Sequence, residues 1–192
     1  MGTSAPSLPH TPEAALLHTP FGWVCLVARG RRVIAASLVP TKAGAAEVAP
    51  ADCTFAGANR LLRAVMRDLG RYFRGEPVDL SRHPVDVSGQ PPFVRAALLA
   101  ARRICYGQVR TYGWLAGAAG TPKAARAAGQ AMSRNPIPLL IPCHRVVGAG
   151  GRLTGFGGGL PLKRVLLELE GVACDKQRVS PGSHRAAPRS GR

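Results

Sequence analysis

The interpretation of this chain begins at residues 141–147, which read IPCHRVV. Pro142 cannot continue a helix and biases Ile141 toward extended backbone, so the pattern predicts a short, buried, extended segment. A thiol beside an imidazole is a candidate nucleophile with a nearby base. Because neighbouring side chains of an extended segment point to opposite faces, Cys143 and His144 are expected to exchange a proton only through a water molecule. An isolated Cys-His pair is more often a buried cysteine beside a structural histidine, so the flanking sequence has to decide.

Composition limits the class of protein. A chain of 192 residues that is 46% hydrophobic can build one large or two small domains. No apolar run reaches the length of a membrane span, and the N-terminus lacks the pattern of a secretory signal. The five cysteines are odd in number and scattered, which is typical of reduced thiols, and none has partners at zinc spacing. The sequence therefore predicts a cytoplasmic protein with no membrane segment and no metal.

The charge balance indicates a polyanionic partner. The formal net charge is +16, from 26 Lys and Arg against 10 Asp and Glu. Such a balance most often belongs to a protein that binds nucleic acid. A compositional bias toward Arg, Ala, Gly and Pro, as in a GC-rich genome, is the alternative explanation for part of it. Residues 172–192 alone carry five basic side chains and one acidic one, a net charge of +4.

The first half of the chain has the pattern of a small α/β unit. Residues 1–18 are rich in Pro, Ser, Thr and Ala, which predicts disorder. Residues 23–28 and 33–39 form two β-type runs around a glycine, which predicts a hairpin. Residues 41–54 have the pattern of a loop. Apolar residues at helical spacing then predict a helix over 59–73.

The second half predicts several helices. Residues 93–104 have helical spacing, Thr111 can cap a short helix that Gly120 ends, and Thr121-Pro122 can start a further helix that runs to about residue 134. Two short helices joined by a tight glycine-containing turn are a candidate helix-turn-helix. The run at 160–169 predicts a last helix.

The second helix of this pair carries mostly small side chains. Residues 123–132 read KAARAAGQAM, with Arg126 as the one long side chain in the middle. A helix that reads the major groove normally carries several long polar side chains. A helix of small residues can instead approach a narrow DNA groove or another helix closely. The spacing of the residues does not distinguish these two interpretations.

Together these elements resemble one family, the O6-alkylguanine-DNA alkyltransferases, also called methylated-DNA–protein-cysteine methyltransferases. The resemblance runs from Phe93 to Gly171 and rests on many motifs in a fixed order. They are YGQV at 106–109, TY at 111–112, PKAARA at 122–127, NP at 135–136, PCHRV at 142–146, GFGGG at 155–159 and the helix at 163–171.

The resemblance implies an α+β fold in two domains. Residues 19–90 would form a small ribonuclease-H-like domain, and residues 91–171 would form a winged helix-turn-helix domain that binds DNA and accepts the alkyl group. The disordered N-terminus (1–18) and a basic disordered tail (172–192) would flank them.

The implied activity is DNA repair by direct reversal. The alkyl group of O6-alkylguanine, and of O4-alkylthymine, in double-stranded DNA would pass irreversibly to Cys143, once per protein molecule. The resemblance implies no cofactor and a monomer that is nucleoid-associated if the source is bacterial. His144 would remove the thiol proton through a water, Glu170 would orient His144, and Tyr112 would hydrogen-bond the departing guanine.

Further residues receive roles by the same resemblance. Arg126 would fill the gap left by the flipped guanine, and Asn135 would hold the turn before the active-site segment. The remaining expected DNA contacts are Tyr112, Gly113, Thr121, Ala124 and Ala127. The expected guanine pocket comprises Met132, Val146, Phe156 and Gly157.

Two departures and two alternatives accompany the resemblance. Some relatives bind zinc in the N-terminal domain, but Cys25 lacks convincing partners here. Phe156 and Gly157 stand where some relatives have tyrosine and serine, which makes the pocket less polar and roomier. A non-enzymatic lesion sensor of the same fold would carry another residue in place of Cys143. A Cys-His hydrolase is disfavoured because the cysteine and histidine are adjacent in sequence.

Overall fold

The first part of the chain folds around a three-stranded antiparallel sheet. Strand β1 (Glu13–Thr19) pairs with β2 (Gly22–Arg29), and β2 pairs with β3 (Arg32–Val39), so β3 is an edge strand. The predicted β2–β3 hairpin is confirmed, and its turn contains Gly30 with a φ of 58°. The computed structural model describes residues 11–55, 59–175 and 177–180.

Strand β1 corrects the prediction that residues 1–18 are disordered. Every residue of β1 pairs with β2, from Glu13 opposite Ala28 to Thr19 opposite Gly22. Ala14 and Ala15 become buried in the process. The pairing partner supplies the stabilisation that the composition of the segment alone does not indicate. Residues 1–10 lie outside the described part of the chain.

Two helices follow the sheet. Helix α1 (Lys42–Glu47) replaces part of the loop expected over 41–54, because the Thr41 side chain accepts a hydrogen bond from the Gly44 amide and caps it. Helix α2 (Arg60–Phe73) agrees with the predicted helix over 59–73, and Asn59 caps it by accepting from Leu62. The apolar stripe of α2 packs into the core beneath the sheet.

Three helices make up most of the second part. Helix α3 (Pro92–Ala101) ends earlier than the predicted 93–104, and α4 (Tyr112–Ala118) begins at the Thr111 cap as predicted. Helix α5 (Ala125–Ser133) starts later than the predicted Thr121-Pro122. Residues 121–124 instead form a turn, in which the Ala124 amide donates to the Thr121 carbonyl. Helix α5 then begins without a side-chain cap.

The chain then passes through a second small sheet into its last helix. Strand β4 (Arg110–Thr111) pairs in parallel with β5 (Val146–Val147). Helix α6 (Gly159–Leu169) follows, as predicted for 160–169, and the chain turns at Gly171 with a φ of 78°. The described residues therefore form a mixed α/β fold with six α-helices and two small sheets. This architecture agrees with the predicted combination of helices and strands.

The beginning of the tail is ordered, which corrects the prediction of disorder over 172–192. Val172 and Val179 are buried. The Leu153 amide donates to the Gln177 carbonyl at 2.8 Å, and the Val179 amide donates to Gly151 at 2.9 Å. Burial of two valines and the backbone pairing outweigh the polar composition. Residues 176 and 181–192 lie outside the described part.

One hydrophobic core joins the first and second parts. Buried side chains of the sheet, α2, α3, α4 and α5 form a continuous cluster that reaches Cys143. The Ala36 amide on the edge of β3 donates to the Pro136 carbonyl at 2.9 Å. The sheet is therefore seated against the segment that leads to the cysteine. In the part of the chain that is described, no helix has the length and apolarity needed to cross a membrane.

Candidate active site

Cys143 lies in a buried turn and not in the extended segment that the sequence predicts. Cys143–Arg145 form one turn of 3-10 helix, which the Arg145 amide closes by donating to the Pro142 carbonyl at 3.0 Å. Burial is as predicted, since Cys143 is only 7% exposed. Pro142 cannot continue an α-helix, but its carbonyl can still accept the hydrogen bond that closes a tight turn.

Asn135 holds the backbone before this turn. Its Nδ2 donates to the Ile141 carbonyl at 2.8 Å, and its Oδ1 accepts from the Ile137 amide at 3.0 Å. Leu139, between these two points, has a φ of 73°, which is unusual for a non-glycine residue. One side chain therefore bridges a strained loop that leads to Cys143.

His144 and Glu170 form a buried pair. His144 Nε2 lies 2.7 Å from Glu170 Oε1, and the two side chains are at most 1% exposed. Arg145 contacts both carboxylate oxygens through Nε, at 3.1 and 2.9 Å, and the Gly107 amide donates to Oε2 at 3.1 Å. Burial alone would raise the pKa of Glu170, but His144 and Arg145 outweigh it and hold the pKa at about 2.

These contacts define the protonation of His144. Because Arg145 balances the charge of Glu170, burial prevails at the imidazole and lowers the pKa of His144, which is therefore neutral at pH 7. An ionised carboxylate only accepts, so Nε2 carries the proton and donates to Glu170. The Nδ1 atom is buried and has no hydrogen-bond partner among the described residues. His144 thus presents a free basic nitrogen inside the protein.

Lys163 brings a positive charge close to the thiol. Its Nζ is fully buried and donates to the carbonyls of Val146 at 2.6 Å and Thr154 at 2.8 Å. Burial lowers the pKa of Lys163 to about 8. Burial also raises the pKa of the Cys143 thiol, whereas a hydrogen bond from Asn135 and the Lys163 ammonium act in the opposite direction. The surroundings therefore favour a thiol that ionises only when its proton has an acceptor.

Tyr112 faces the same region from the start of α4. Its hydroxyl lies 3.5 Å from the carbonyls of Thr154 and Gly155, a separation that leaves it weakly held. Burial raises the pKa of Tyr112, so the phenol keeps its proton at pH 7. Lys163 Nζ lies 5.7 Å from the centre of the Tyr112 ring. Tyr112 is thus a neutral proton donor whose hydroxyl can turn toward another acceptor.

Two cavities flank the segment Phe156–Gly157. One, of about 510 Å³, is lined by Tyr112 and Arg126 among others. The other, of about 300 Å³, is lined by Cys143 together with Met132 and Asn135. Both cavities share Phe156 and Gly157 as a common wall.

The structure brings most of the predicted site residues together. Cys143, His144, Glu170 and Val146 are buried, and the half-buried Asn135 holds the loop before Cys143. The remaining predicted residues lie on the exposed or half-exposed surface of α4, α5 and the turn between them. They are Gly113, Thr121, Ala124, Arg126 and Ala127.

Three residues of the centre were not predicted from the sequence, namely Tyr72, Arg145 and Lys163. The Tyr72 hydroxyl donates to Glu170 Oε1 at 2.8 Å. Lys163 could have been found, because it precedes Glu170 by seven residues, a helical spacing that places it on the same side as the residue that follows the end of α6. Tyr72 lies on an ordinary apolar stripe of α2, and nothing in its spacing distinguishes it from a core aromatic residue. Among the described residues, no group of His, Cys, Asp and Glu could hold a metal ion.

The fold and the site define a protein with a buried thiol–imidazole–carboxylate centre beside two short helices. The family model described as "6-O-methylguanine DNA methyltransferase, DNA binding domain" matches residues 92–172. A methylated-DNA–protein-cysteine methyltransferase of Mycolicibacterium paratuberculosis is 44% identical over 124 residues, which cover 65% of this chain and 70% of that protein. The protein of the same name from Methanopyrus kandleri is 50% identical over 115 residues, which cover 59% and 83%.

Solved structures agree with these sequence relatives. The structure of Mycobacterium tuberculosis OGT in complex with DNA is similar with a TM-score of 0.72 and 34% identity, over 82% of this chain and 92% of that one. The chain described here belongs to the methylated-DNA–protein-cysteine methyltransferase family. The resemblance inferred from the motifs is thereby confirmed.

Proposed function

We propose that this protein repairs DNA by moving an alkyl group from O6 of guanine in double-stranded DNA to the sulfur of Cys143. The observation that carries this function is the buried Cys143 beside a neutral His144 whose Nδ1 has no hydrogen-bond partner within the described part of the chain. The names of the relatives, methylated-DNA–protein-cysteine methyltransferases, give the same reaction. We extend the substrates to O4-alkylthymine, which presents a comparable alkyl ether.

The reaction is a single displacement at carbon. The sulfur of Cys143 forms a bond to the alkyl carbon while the bond from that carbon to O6 breaks, and the electron pair of that bond stays on guanine. The thiol proton passes through a water to Nδ1 of His144, because the two side chains share no direct hydrogen bond. Glu170 holds the imidazole with Nδ1 available, since it accepts the proton of Nε2.

The leaving guanine needs a donor for its developing negative charge. Tyr112 supplies it, because its hydroxyl is protonated and only weakly held by two carbonyls. The nearby Lys163 ammonium stabilises negative charge on the sulfur before transfer. Met132, Val146, Phe156 and Gly157 form the walls that hold the base.

DNA binding is assigned to α4 and α5, acting as a helix-turn-helix within a winged domain over 91–171. The minor groove is only about 6 Å wide, and the small residues of α5 suit a close approach to it. Arg126 fills the space of the flipped guanine, and Gly113, Thr121, Ala124 and Ala127 contact the adjacent backbone. The ribonuclease-H-like domain runs to residue 90 and includes β1, because every residue of β1 pairs with β2. The protein acts as a monomer.

The test is incubation of the protein with a duplex that carries one O6-methylguanine, followed by intact-mass and peptide analysis. We expect a gain of one methyl group on Cys143 and a product yield that stops at one per protein molecule, because a thioether is a poor leaving group. Cys143→Ser serves as the control and should show no gain, since a hydroxyl is much less acidic than a thiol. Methylation at another residue would overturn the assignment of Cys143, and repeated turnover would favour a hydrolase.

A further inference from the structure

Helix α2 carries a row of arginines on its outer face. Four arginines of this helix and the residue that ends it are exposed, and together they form the arginine stripe, namely Arg60, Arg63, Arg67, Arg71 and Arg74. At 3.6 residues per turn, the five side chains fall within about 80° of one another around the helix axis. The first and the last of them lie about 21 Å apart along that axis.

The arginine stripe points away from the candidate active site. Tyr72, which donates to Glu170 from the buried side of α2, lies about 140° from the middle of the stripe around the helix axis. Helix α2 packs against β1 and β2, whereas α4 and α5 pack against each other and against α3. A partner bound at the stripe therefore leaves α4 and α5 accessible.

Little acidic charge balances the arginine stripe. Asp68 is the one acidic residue of α2, and its carboxylate is buried and 3.9 Å from Arg67. Glu76 pairs with both Arg71 and Arg74, at 2.6 and 3.0 Å, so these two arginines share one carboxylate. Like charges four residues apart repel each other and destabilise a helix. The stripe therefore keeps positive charge that an anionic partner would neutralise.

That anionic partner is another molecule. All ten acidic residues of the sequence lie in the described part of the chain, and residues 1–10, 56–58, 176 and 181–192 contain none. A second copy of this chain, with a net charge of +16, would be repelled. A helix that binds a membrane surface inserts its apolar face, but the apolar face of α2 is buried in the core.

The spacing of the arginines suits the backbone of a nucleic acid. Successive members of the stripe are about 4.5 or 6 Å apart along the helix axis. Each strand of duplex DNA carries one phosphate per about 3.4 Å of its axis, and a guanidinium group can bind two oxygens of one phosphate. Several arginines of the stripe can therefore contact phosphates of one duplex at the same time.

We propose that the arginine stripe binds the phosphate backbone of a second DNA duplex, so that one protein molecule holds two duplex segments at once. The first segment is the one bound by α4 and α5, and this half of the inference rests on the proposed function. Contacts with phosphates carry no sequence information, so the second segment can have any sequence. The first part of the chain thus contributes a DNA-binding surface of its own.

The test measures the capture of a second duplex. An immobilised duplex is saturated with protein, washed and exposed to a labelled duplex of different sequence at several salt concentrations. The variant Arg60→Gln/Arg63→Gln/Arg67→Gln removes three charges and keeps residues of good helix propensity. We expect its capture of the labelled duplex to fall at least tenfold. The slope of log affinity against log salt should become shallower by about 2.7, at about 0.9 for each lost phosphate contact.

Two control proteins accompany this variant. Arg29→Gln/Arg31→Gln/Arg103→Gln removes the same charge from exposed positions outside the stripe and should capture the labelled duplex like the wild type. Replacement of the three stripe residues by lysine keeps the charge and should restore most of the capture. The rate of alkyl transfer to Cys143 at saturating DNA should be equal in all these proteins, which shows that each is folded.

Each other outcome has a defined meaning. Equal capture by the glutamine variant of the stripe and the wild type, or equal losses in that variant and the control outside the stripe, would overturn the stripe as a DNA site. Duplex RNA that displaces the labelled duplex at lower concentration than unlabelled DNA would overturn DNA as the partner. A wild type that binds the immobilised duplex and captures no second one would overturn the inference and leave the proposed function intact. Absence of binding to the immobilised duplex would reject the proposed DNA binding as well.

Discussion

The hydroxyl of Tyr72 lies 2.8 Å from Oε1 of Glu170 and 3.4 Å from Nε2 of His144. Tyr72 belongs to α2, in the first part of the chain, whereas the other two residues follow the helices α4 and α5. It is fully buried, and it donates its hydrogen bond to the same carboxylate oxygen that contacts the imidazole. The first part of the chain therefore helps to hold the group that orients His144.

We predict that Tyr72→Phe slows alkyl transfer about tenfold, because a hydrogen bond to a charged group contributes on the order of 1.5–3 kcal/mol. The measurement is the single-turnover rate on a methylated duplex as a function of pH. With one donor fewer, the Glu170 carboxylate carries more unbalanced negative charge, and this raises the pKa of His144. Because the reaction needs neutral His144, the acidic limb of the rate profile should move to higher pH.

Tyr106→Phe is the matched control for this prediction. The Tyr106 hydroxyl donates to the backbone carbonyls of Gly75 and Leu169. The control can lose stability, but its pH profile should keep the midpoint of the wild type. Equal pH profiles for Tyr72→Phe and the wild type would contradict a positioning role for Tyr72.

Arg126→Ala should slow repair of duplex DNA much more than reaction with a free O6-alkylguanine base. A free base requires no flipping, whereas extrusion from the duplex costs a few kcal/mol that a stacked guanidinium offsets. Both rates are measured by alkylation of Cys143. Arg31→Ala, at the exposed tip of the β2–β3 hairpin, removes the same charge and should leave both rates nearly unchanged. Equal losses on both substrates in Arg126→Ala would place Arg126 in the pocket or in folding.

Acid should destabilise the protein through Glu170. Its pKa is lowered from 4.5 to about 2 in the folded protein, so its ionisation stabilises the fold above pH 4.5 and this contribution is lost as the pH falls toward 2. The contribution at neutral pH is on the order of 3 kcal/mol. Because burial lowers the pKa values of both His144 and His83, loss of stability just below pH 6.5 belongs to these histidines instead.

Urea unfolding of the wild type, Glu170→Gln and Glu168→Gln at several pH values tests this prediction. The control residue Glu168 lies in the last turn of α6, two residues before Glu170, pairs with Arg164 at the surface and is 42% exposed. The free energy of unfolding of Glu170→Gln should vary less between pH 4.5 and 2 than that of the other two proteins. Parallel curves for all three would contradict the prediction.

The basic tail should contribute to DNA affinity through charge alone. Because Val172 and Val179 are buried, a truncation that spares the fold has to remove residues 181–192, which carry three arginines. Each phosphate contact that is lost should reduce the slope of log affinity against log salt by about 0.9. We expect a shallower slope and an unchanged transfer rate at saturating DNA. An identical slope in the truncated protein would exclude contact between the tail and DNA.

Local sequence was sufficient for several elements of the fold. Helix α2 follows from its apolar stripe and the Asn59 cap, and α4 follows from the Thr111 cap. These features depend on residues within one or two turns of each other, so spacing identifies them. The motif around Cys143 and His144 identified the family in a different way, through its resemblance to known sequences and not through apolar spacing.

Other features depended on pairing and turn contacts that the spacing of apolar residues does not reveal. Pairing with β2 orders β1 despite its weak local signal, and the turn at Thr121 delays the start of α5. The turn at Cys143 depends on a bond that closes onto Pro142 within a loop held by Asn135. None of these outcomes is encoded in periodicity, because the free energy of each comes from a partner that only the folded chain supplies.

The sequence by itself determined which residues could carry the chemistry, namely a thiol, an imidazole and a carboxylate in a known order. Only the tertiary structure decided the protonation states of these groups and the distances between them. Burial makes His144 neutral, Arg145 keeps Glu170 ionised, and residues of β3 line the cavity beside Cys143. These properties arise from desolvation and from distances between groups that lie far apart along the chain, and folding alone brings those groups together.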